Sequence, residues 1–318
     1  MNIKQGDIIL KTRVLITGAS GLVGSHVLRY FLNSTDWDIV CLSSWRHKGN
    51  PMRLQEYANN DRVEIISHDL IGPVPDLGYF DYILNLASES HVDRSIIDPV
   101  PFVLNNVALM LNMLEYARKY PPKLFIQFST DEVFGHTEVI SDVLWPSNPY
   151  AASKASQEVL VSAYRKTYNL QAVVTNSNNI IGEGQDPEKY VARLAQMIKK
   201  GETVTVHAQD GRLGQRRYNP VENVGAALLF LIKHYEPQSP LAPTPRFGLT
   251  GGEELDNLQI AQLVAKIMGK DLKYKIVDVH EIRPGYDEKY PKVNTRLEEM
   301  GFVPPITLEE GLQWLKYT

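Results

Sequence analysis

An α/β fold, a doubly wound parallel sheet with a smaller C-terminal substrate-binding lobe, is predicted from three features of the sequence. Short apolar runs alternate with helical patterns through the first 175 residues. The runs are continuous rather than every-other-residue, as in strands buried on both faces. A glycine-rich turn joins the first run to the first helical pattern, the arrangement of the Rossmann dinucleotide-binding unit.

The elements follow in order. RVLIT (residues 13–17) reads as the first strand, and SHVLRYFLNS after the turn has the three-and-four apolar spacing of an amphipathic helix. DIVCLSS, RVEIIS, DYILNLAS, KLFIQFST and LQAVVTNS read as further strands, with helices at FVLNNVALMLNMLEYARKY and SQEVLVSAYRKTY. Beyond about residue 176 the pattern breaks into pieces punctuated by Pro and Gly. KYVARLAQMIKKG and LDNLQIAQLVAKIMGK remain helical there, and EEGLQWLKY predicts a terminal helix. The division is therefore 1–175 for a dinucleotide-binding domain and 176–318 mainly for a substrate-binding lobe, with about 220–235 returning to the first domain.

The bulk properties exclude several classes. With 43% hydrophobic residues, 22% charged residues and a formal net charge of −4, the chain lacks the basic balance of a general nucleic-acid binder. Its single cysteine, Cys41, forms no internal disulfide, and MNIKQGDIILKT lacks the apolar core of a secretory signal. VGAALLFLI, among the longest apolar runs, falls far short of the roughly 18 residues of a membrane span. The expectation is a soluble cytoplasmic protein with neither a membrane nor a metal site.

In VLITGASGLVGSHV, Gly18, Gly21 and Gly24 stand between strand and helix, with Ser20, Leu22 and Val23 among them. Such glycines let backbone approach a pyrophosphate, which the helix N-terminus attracts. The GxxGxxG spacing is of the short-chain dehydrogenase/reductase type; a merely structural turn is the alternative. About twenty residues on, an acid would bind the ribose of NAD. Ser43 and Ser44 occupy that place, with Arg46, His47 and Lys48 behind them. Hydroxyls and cations suit a 2′-phosphate, so NADP is favoured over NAD, the alternative being a solvated basic loop. Asp69, ending the third strand before Leu70, is a candidate for the adenine amino group or a turn cap.

Two further clusters carry chemistry. FSTDEVFG puts Asp131 and Glu132 side by side where an apolar strand ends. Adjacent strand residues point to opposite faces, so the two acids converge only if the chain leaves the strand there. NPYAASKAS places Tyr150 and Lys154 four residues apart at the start of a helix, on one face. An ammonium beside a phenol favours the phenolate, and with Thr130 this forms a candidate dehydrogenase centre.

GASGLVGS, ASESHVDRS, FSTDEVFG, PYAASKAS, TNSNNIIGEGQDPEK and RPGYDEKY, in this order, resemble the nucleotide-sugar 4,6-dehydratases of the extended short-chain dehydrogenase/reductase group, the dTDP-glucose enzymes above all. The resemblance implies that Tyr150, Lys154 and Thr130 serve oxidation at C4 of an NDP-hexose, that Glu132 is the base at C5, and that Asp131 is the acid at the C6 hydroxyl. It adds Leu86, Ala87, Ser88 and Asn106 to the cofactor contacts, Ser90, His91 and Asp93 to the sugar side, and Asn179, Lys189, Arg216 and Arg283 to the nucleotide diphosphate. It also implies a homodimer through two helices, consistent with Phe102, Leu104, Val107, Leu109, Met110, Leu111 and Met113 covering more than one face. The chain departs from the family at Arg216-Arg217-Tyr218, where Arg-Asp-Trp is usual, at Glu253, and in VTVHAQDG at 204–211. An NAD(P)-dependent epimerase or decarboxylase, which would not need both acids, and a non-catalytic NADP-binding sensor are the competing readings.

Overall fold

The computed structural model describes residues 11–46, 48–136, 142–278, 289–290 and 294–317. The chain opens with β1 (Arg13–Thr17), α1 (Leu22–Ser34), β2 (Asp38–Ser43), β3 (Val63–Ser67) and β4 (Tyr82–Asn85). Two helices, α2 (Val92–Ile97) and α3 (Pro99–Lys119), lead to β5 (Leu124–Thr130), α4 (Pro149–Tyr168) and β6 (Ala172–Ser177). Then come β7 (Asn179–Ile181), α5 (Tyr190–Lys199), β8 (Val204–Gln209), β9 (Arg212–Leu213), β10 (Gln215–Pro220) and α6 (Val221–His234). The described chain closes with β11 (Arg246–Leu249), β12 (Glu254–Asp256), α7 (Asn257–Met268), β13 (Tyr274–Asp278), α8 (Arg296–Glu299) and α9 (Leu308–Gly311).

Seven of these strands form one sheet in the order β11-β6-β5-β4-β1-β2-β3, every pair parallel, which is the predicted doubly wound fold. The continuous apolar runs have a direct cause. In β1, Val14 and Ile16 enter one core with α1 and α6, while Leu15 enters a second core with α3. In β5, Ile126 and Phe125 divide the same way. With helices on both faces, alternate positions are all buried and no polar stripe is left. The winding reverses between β1 and β4, and a crevice opens there at the strands' C-terminal ends.

A third core gathers Ile181, Val191, Leu194, Val206, Tyr218, Ile260 and Val264 around two small sheets, β12-β10-β7 and β13-β8-β9. Two elements of the later chain belong to the large sheet's layers instead. β11 pairs with β6, and α6 lies on α1 so closely that a Cβ on Gly225 would come within 2.7 Å of Tyr30.

Two expectations change. The terminal helix splits into α9, opened by a Thr307/Glu310 capping box and ending with Gly311 against Pro220, and a 3-10 turn over Gln313–Tyr317. On α3, Phe102, Leu109, Met110 and Met113 are buried within the chain's own core, because the helix packs on the sheet and on α4 at once. Leu104 and Leu111 stay exposed. Among the described residues, no helix is long and apolar enough to cross a membrane.

Candidate active site

The crevice is a cleft of about 550 Å³ running from the β1–α1 turn to the ends of β5 and α4. At its first end Thr17 Oγ1 accepts from the N–H groups of Leu86 and Ala87 at 3.0 and 3.1 Å, clamping β4's exit to the turn. Gly18 has φ +68°, and a Cβ there would lie 2.9 Å from Ala87 backbone. One on Gly24 would lie 2.3 Å from the Gly18 carbonyl oxygen. Helix α1 begins at Gly21 with no capping side chain and no acid in its first turn, leaving a positive N-terminus toward the cleft. Gly18, Ser20, Gly21, Leu22, Val23 and Gly24, with Leu86, Ala87 and Ser88 opposite, line this end. The cradle fits a dinucleotide pyrophosphate.

The neighbouring basic segment is less open than its sequence suggests. Ser43 is buried, and its Oγ accepts the Ser20 N–H at 3.0 Å. Arg46 is ion-paired with Asp69, whose Oδ1 also accepts the Ile71 N–H. Lys48 meets Asp186 at 2.8 Å and Glu188 at 3.3 Å, and its hydrogen bond to Asp186 raises its pKa. Glu188 also holds His91 and Arg94. These acids come from distant segments, so the sequence leaves both cations unpaired and the fold pairs them. Ser44, Asp69 and Leu70 line the cleft here; His47 lies outside the described residues.

At the other end β5 runs into a 3-10 turn over Asp131–Phe134, capped by Thr130, whose Oγ1 accepts the Glu132 N–H. Gly135 ends the turn at φ +64°, where a Cβ would sit 2.1 Å from the Trp145 carbonyl oxygen. This exit lets two adjacent acids work in one place, in unlike surroundings. Asp131 is buried and takes the Asn178 Nδ2–H at 2.7 Å and the Thr130 hydroxyl at 3.2 Å. Burial is the largest influence on its carboxyl and pushes it up to about 7, against the Asn178 hydrogen bond. Asn178 is itself oriented, since its Oδ1 accepts the Gly251 N–H. Glu132 lines the cleft, within 3.4 Å of both Asn148 Nδ2 and the Tyr290 hydroxyl.

Helix α4 starts at Asn148, whose side chain caps the Ala151 N–H, with Pro149 at its first position. That start delivers Tyr150 to the cleft, its N–H on Ser95 Oγ at 3.0 Å and its phenol facing Thr130. Burial and then the Glu132 charge push the phenol up, the reverse of the expected phenolate, because the Lys154 ammonium is spent on the Phe128 carbonyl instead. Lys154, one turn along, is not on the cleft wall: its Nζ donates to the Phe128 carbonyl at 2.6 Å, and burial brings it down to about 7. Asn106 is likewise fully buried, joining the Glu89 backbone to Ser153 Oγ, which in turn donates to the Tyr150 carbonyl.

A buried polar chain ties these parts together. Thr17 donates to Asn85 at 2.7 Å, Asn85 to Gln127 at 2.7 Å, Gln127 to Gln157 at 2.9 Å, and Gln157 to the Asn106 carbonyl at 2.7 Å. It crosses the sheet from the glycine turn to helix α4. On the remaining wall stand Ser90, Asn179, Lys189 and Arg216. Lys189 Nζ donates to the Ser90 carbonyl at 2.7 Å, and the Arg216 guanidinium lies 4.4 Å from the Tyr290 ring centroid. Arg283 lies outside the described residues. Sequence reasoning missed Asn148, Asn178, Ser153 and Tyr290; only Asn148 left a local signal, an Asn-Pro helix start.

Residues 14–241 match the NAD dependent epimerase/dehydratase family. The chain belongs to that family. It is 32% identical over 307 residues to the low-salt glycan biosynthesis protein Agl12 of Haloferax volcanii, covering 94% of this chain and 96% of that one. To a dTDP-glucose 4,6-dehydratase of Escherichia coli it is 30% identical over 338 residues, covering 94% and 91%. Its fold matches DesIV, a dTDP-glucose 4,6-dehydratase of Streptomyces venezuelae solved with NAD bound, with a TM-score of 0.86 at 26% identity over 96% of each chain. This member of the epimerase/dehydratase family is thus an enzyme of the extended short-chain dehydrogenase/reductase type, and the glycine-lined end of its cleft fits the family's NAD(P) cofactor.

Proposed function

We propose that this enzyme is a nucleotide-sugar 4,6-dehydratase, converting an NDP-hexose of the dTDP-glucose type to its 4-keto-6-deoxy form. The observation that supports this most is the divided environment of the two acids. Asp131, buried with its carboxyl near 7, is suited to hold a proton, while Glu132 lines the cleft within reach of the Asn148 amide and the Tyr290 hydroxyl. Loss of water needs an acid and a base on adjacent carbons; simple epimerisation at C4 has no use for the acid.

A bound nicotinamide supplies the hydride acceptor at C4 and later the donor at C6. The chain's residues move the protons. Tyr150, in its phenolate form, takes the proton of the 4-hydroxyl, with Thr130 beside it and Lys154 one turn along the helix assisting. The 4-ketone acidifies C5–H, which Glu132 removes as Asp131 protonates the departing C6 hydroxyl. Glu132 then returns its proton to C5. At that point Tyr150 carries one extra proton and Asp131 lacks one, and Thr130, which donates to Asp131 and faces the Tyr150 phenol, is placed to pass it across.

Asn179, Lys189, Arg216 and Arg283 would hold the diphosphate, with residues 176–318 forming most of the sugar-nucleotide lobe and about 220–235 packing back on the first. NADP is the preferred cofactor, the enzyme is a cytoplasmic homodimer, and its substrate is a small nucleotide sugar rather than a nucleic acid or membrane. The test is mass spectrometry after incubation with dTDP-, UDP-, GDP- and CDP-hexoses and either cofactor. Loss of one water from one of them is expected; a changed sugar configuration at unchanged mass would overturn the dehydratase in favour of an epimerase.

A further inference from the structure

We infer that Arg53 is the residue that reads the cofactor's 2′-phosphate, a role the local sequence would give to Arg46 and Lys48. The inference rests on the cofactor preference proposed above. Arg53 lies in the 3-10 turn Pro51–Tyr57 that follows β2, the strand whose end faces the adenosine ribose in this fold, and it lines the cleft beside the glycine turn. Its guanidinium bridges two loops: Nη1 donates to the Ser20 carbonyl at 3.0 Å and Nη2 to the Gly184 carbonyl at 2.7 Å.

Both partners are neutral. Among the described residues no carboxylate forms an ion pair with Arg53, whereas Arg46 is paired with Asp69, and Lys48 with Asp186 and Glu188. A half-buried guanidinium without a counter-ion is costly unless an anion joins it, and two carbonyl bonds leave three of its five N–H donors for one. Burial already pulls its pKa down, with only the more distant Asp186 acting the other way.

The anchoring is also well placed. Ser20 is the middle of the glycine turn, fixed by its N–H on Ser43 Oγ and by its carbonyl, which takes the Asn50 N–H as well as Arg53. A group held on Ser20 moves with the pyrophosphate cradle. The absence of an acid at Ser43 and Ser44 removes the carboxylate that would repel a phosphate there. What distinguishes NADP from NAD at this end is therefore one fixed, uncompensated guanidinium.

The test is calorimetric binding of NADP+ and NAD+ to the full chain, with Arg53→Gln, Arg53→Lys and the double variant Arg46→Ala/Lys48→Ala. Wild type should bind NADP+ more tightly. Arg53→Gln should weaken NADP+ by roughly 10- to 100-fold, the loss of one charge-assisted contact, while NAD+ changes by less than about 2-fold. Arg53→Lys should keep part of the preference, and the double variant most of it. Equal weakening of both cofactors by Arg53→Gln would reduce Arg53 to a clamp on the glycine turn. A preference lost in the double variant but kept in Arg53→Gln would return the role to Arg46 and Lys48. No binding of either dinucleotide would overturn the cofactor reading itself, a different failure from an Arg53 variant that still prefers NADP+.

Discussion

In the proposed turnover the hydroxyl of Thr130 lies between the two groups whose proton counts change, donating to Asp131 and facing the Tyr150 phenol. Tyr150 and Asp131 are both buried, so exchange of their protons with bulk water is hindered, and the short path runs through Thr130. Thr130→Val keeps the shape and removes the path. In rapid-quench experiments that variant should release about one product per site and then slow by roughly 10-fold or more, within the usual range for proton-transfer groups. Thr130→Ser should restore steady turnover, and a first turnover slowed as much as later ones would reduce Thr130 to a structural role. The sign of the pH dependence follows from Asp131. Its proton is present below about 7 and lost above, so water loss should fall as pH rises through that value. At this scale the sequence was legible in residue types, and Thr130, Asp131, Glu132 and Tyr150 do meet. It was silent on partners: Asn178 reaches Asp131 from 47 residues away, and Asp186 reaches Lys48 from another loop.

Elements were legible in proportion to their length and burial. The strands β1 to β6 declare themselves as apolar runs, and α4 by its Asn-Pro start. The two- and three-residue strands β7, β9 and β12 carry no periodicity to read, being fixed by pairing rather than by pattern. Gln127 is the instructive exception, a polar residue within an otherwise buried strand. It is fully buried because Asn85 donates to it from β4 and Gln157 accepts from it on α4. Gln127→Leu would strand one donor and one acceptor, each costing about 1–3 kcal/mol. Urea denaturation should show a loss of about 2–5 kcal/mol, and a loss below about 1 kcal/mol would mean the polar chain is not a stabilising link between glycine turn and helix α4.

The order of strands places the cofactor cradle and the acid pair in one cleft, and that much follows from alternating strands and helices with a glycine turn at the first crossover. The proposed homodimer has a candidate surface on helices α3 and α4. Leu104 on α3 is 63% exposed and Val159 on α4 58%, and Leu111 on α3 is exposed as well. Such apolar positions on two packed helices suit pairing with a second copy. Sedimentation velocity at micromolar concentration should give a dimer that Leu104→Glu converts largely to monomer; a monomeric wild type would remove the claim.

The central claim is that Asp131 donates the proton that lets water leave. It is tested most directly by mixing Asp131→Asn with the NDP-hexose that wild type dehydrates, following the absorbance of reduced nicotinamide and the mass of the sugar together. The account predicts that bound cofactor becomes reduced and stays so, with water loss at least about 100-fold slower than in wild type. Unchanged loss of water would contradict it.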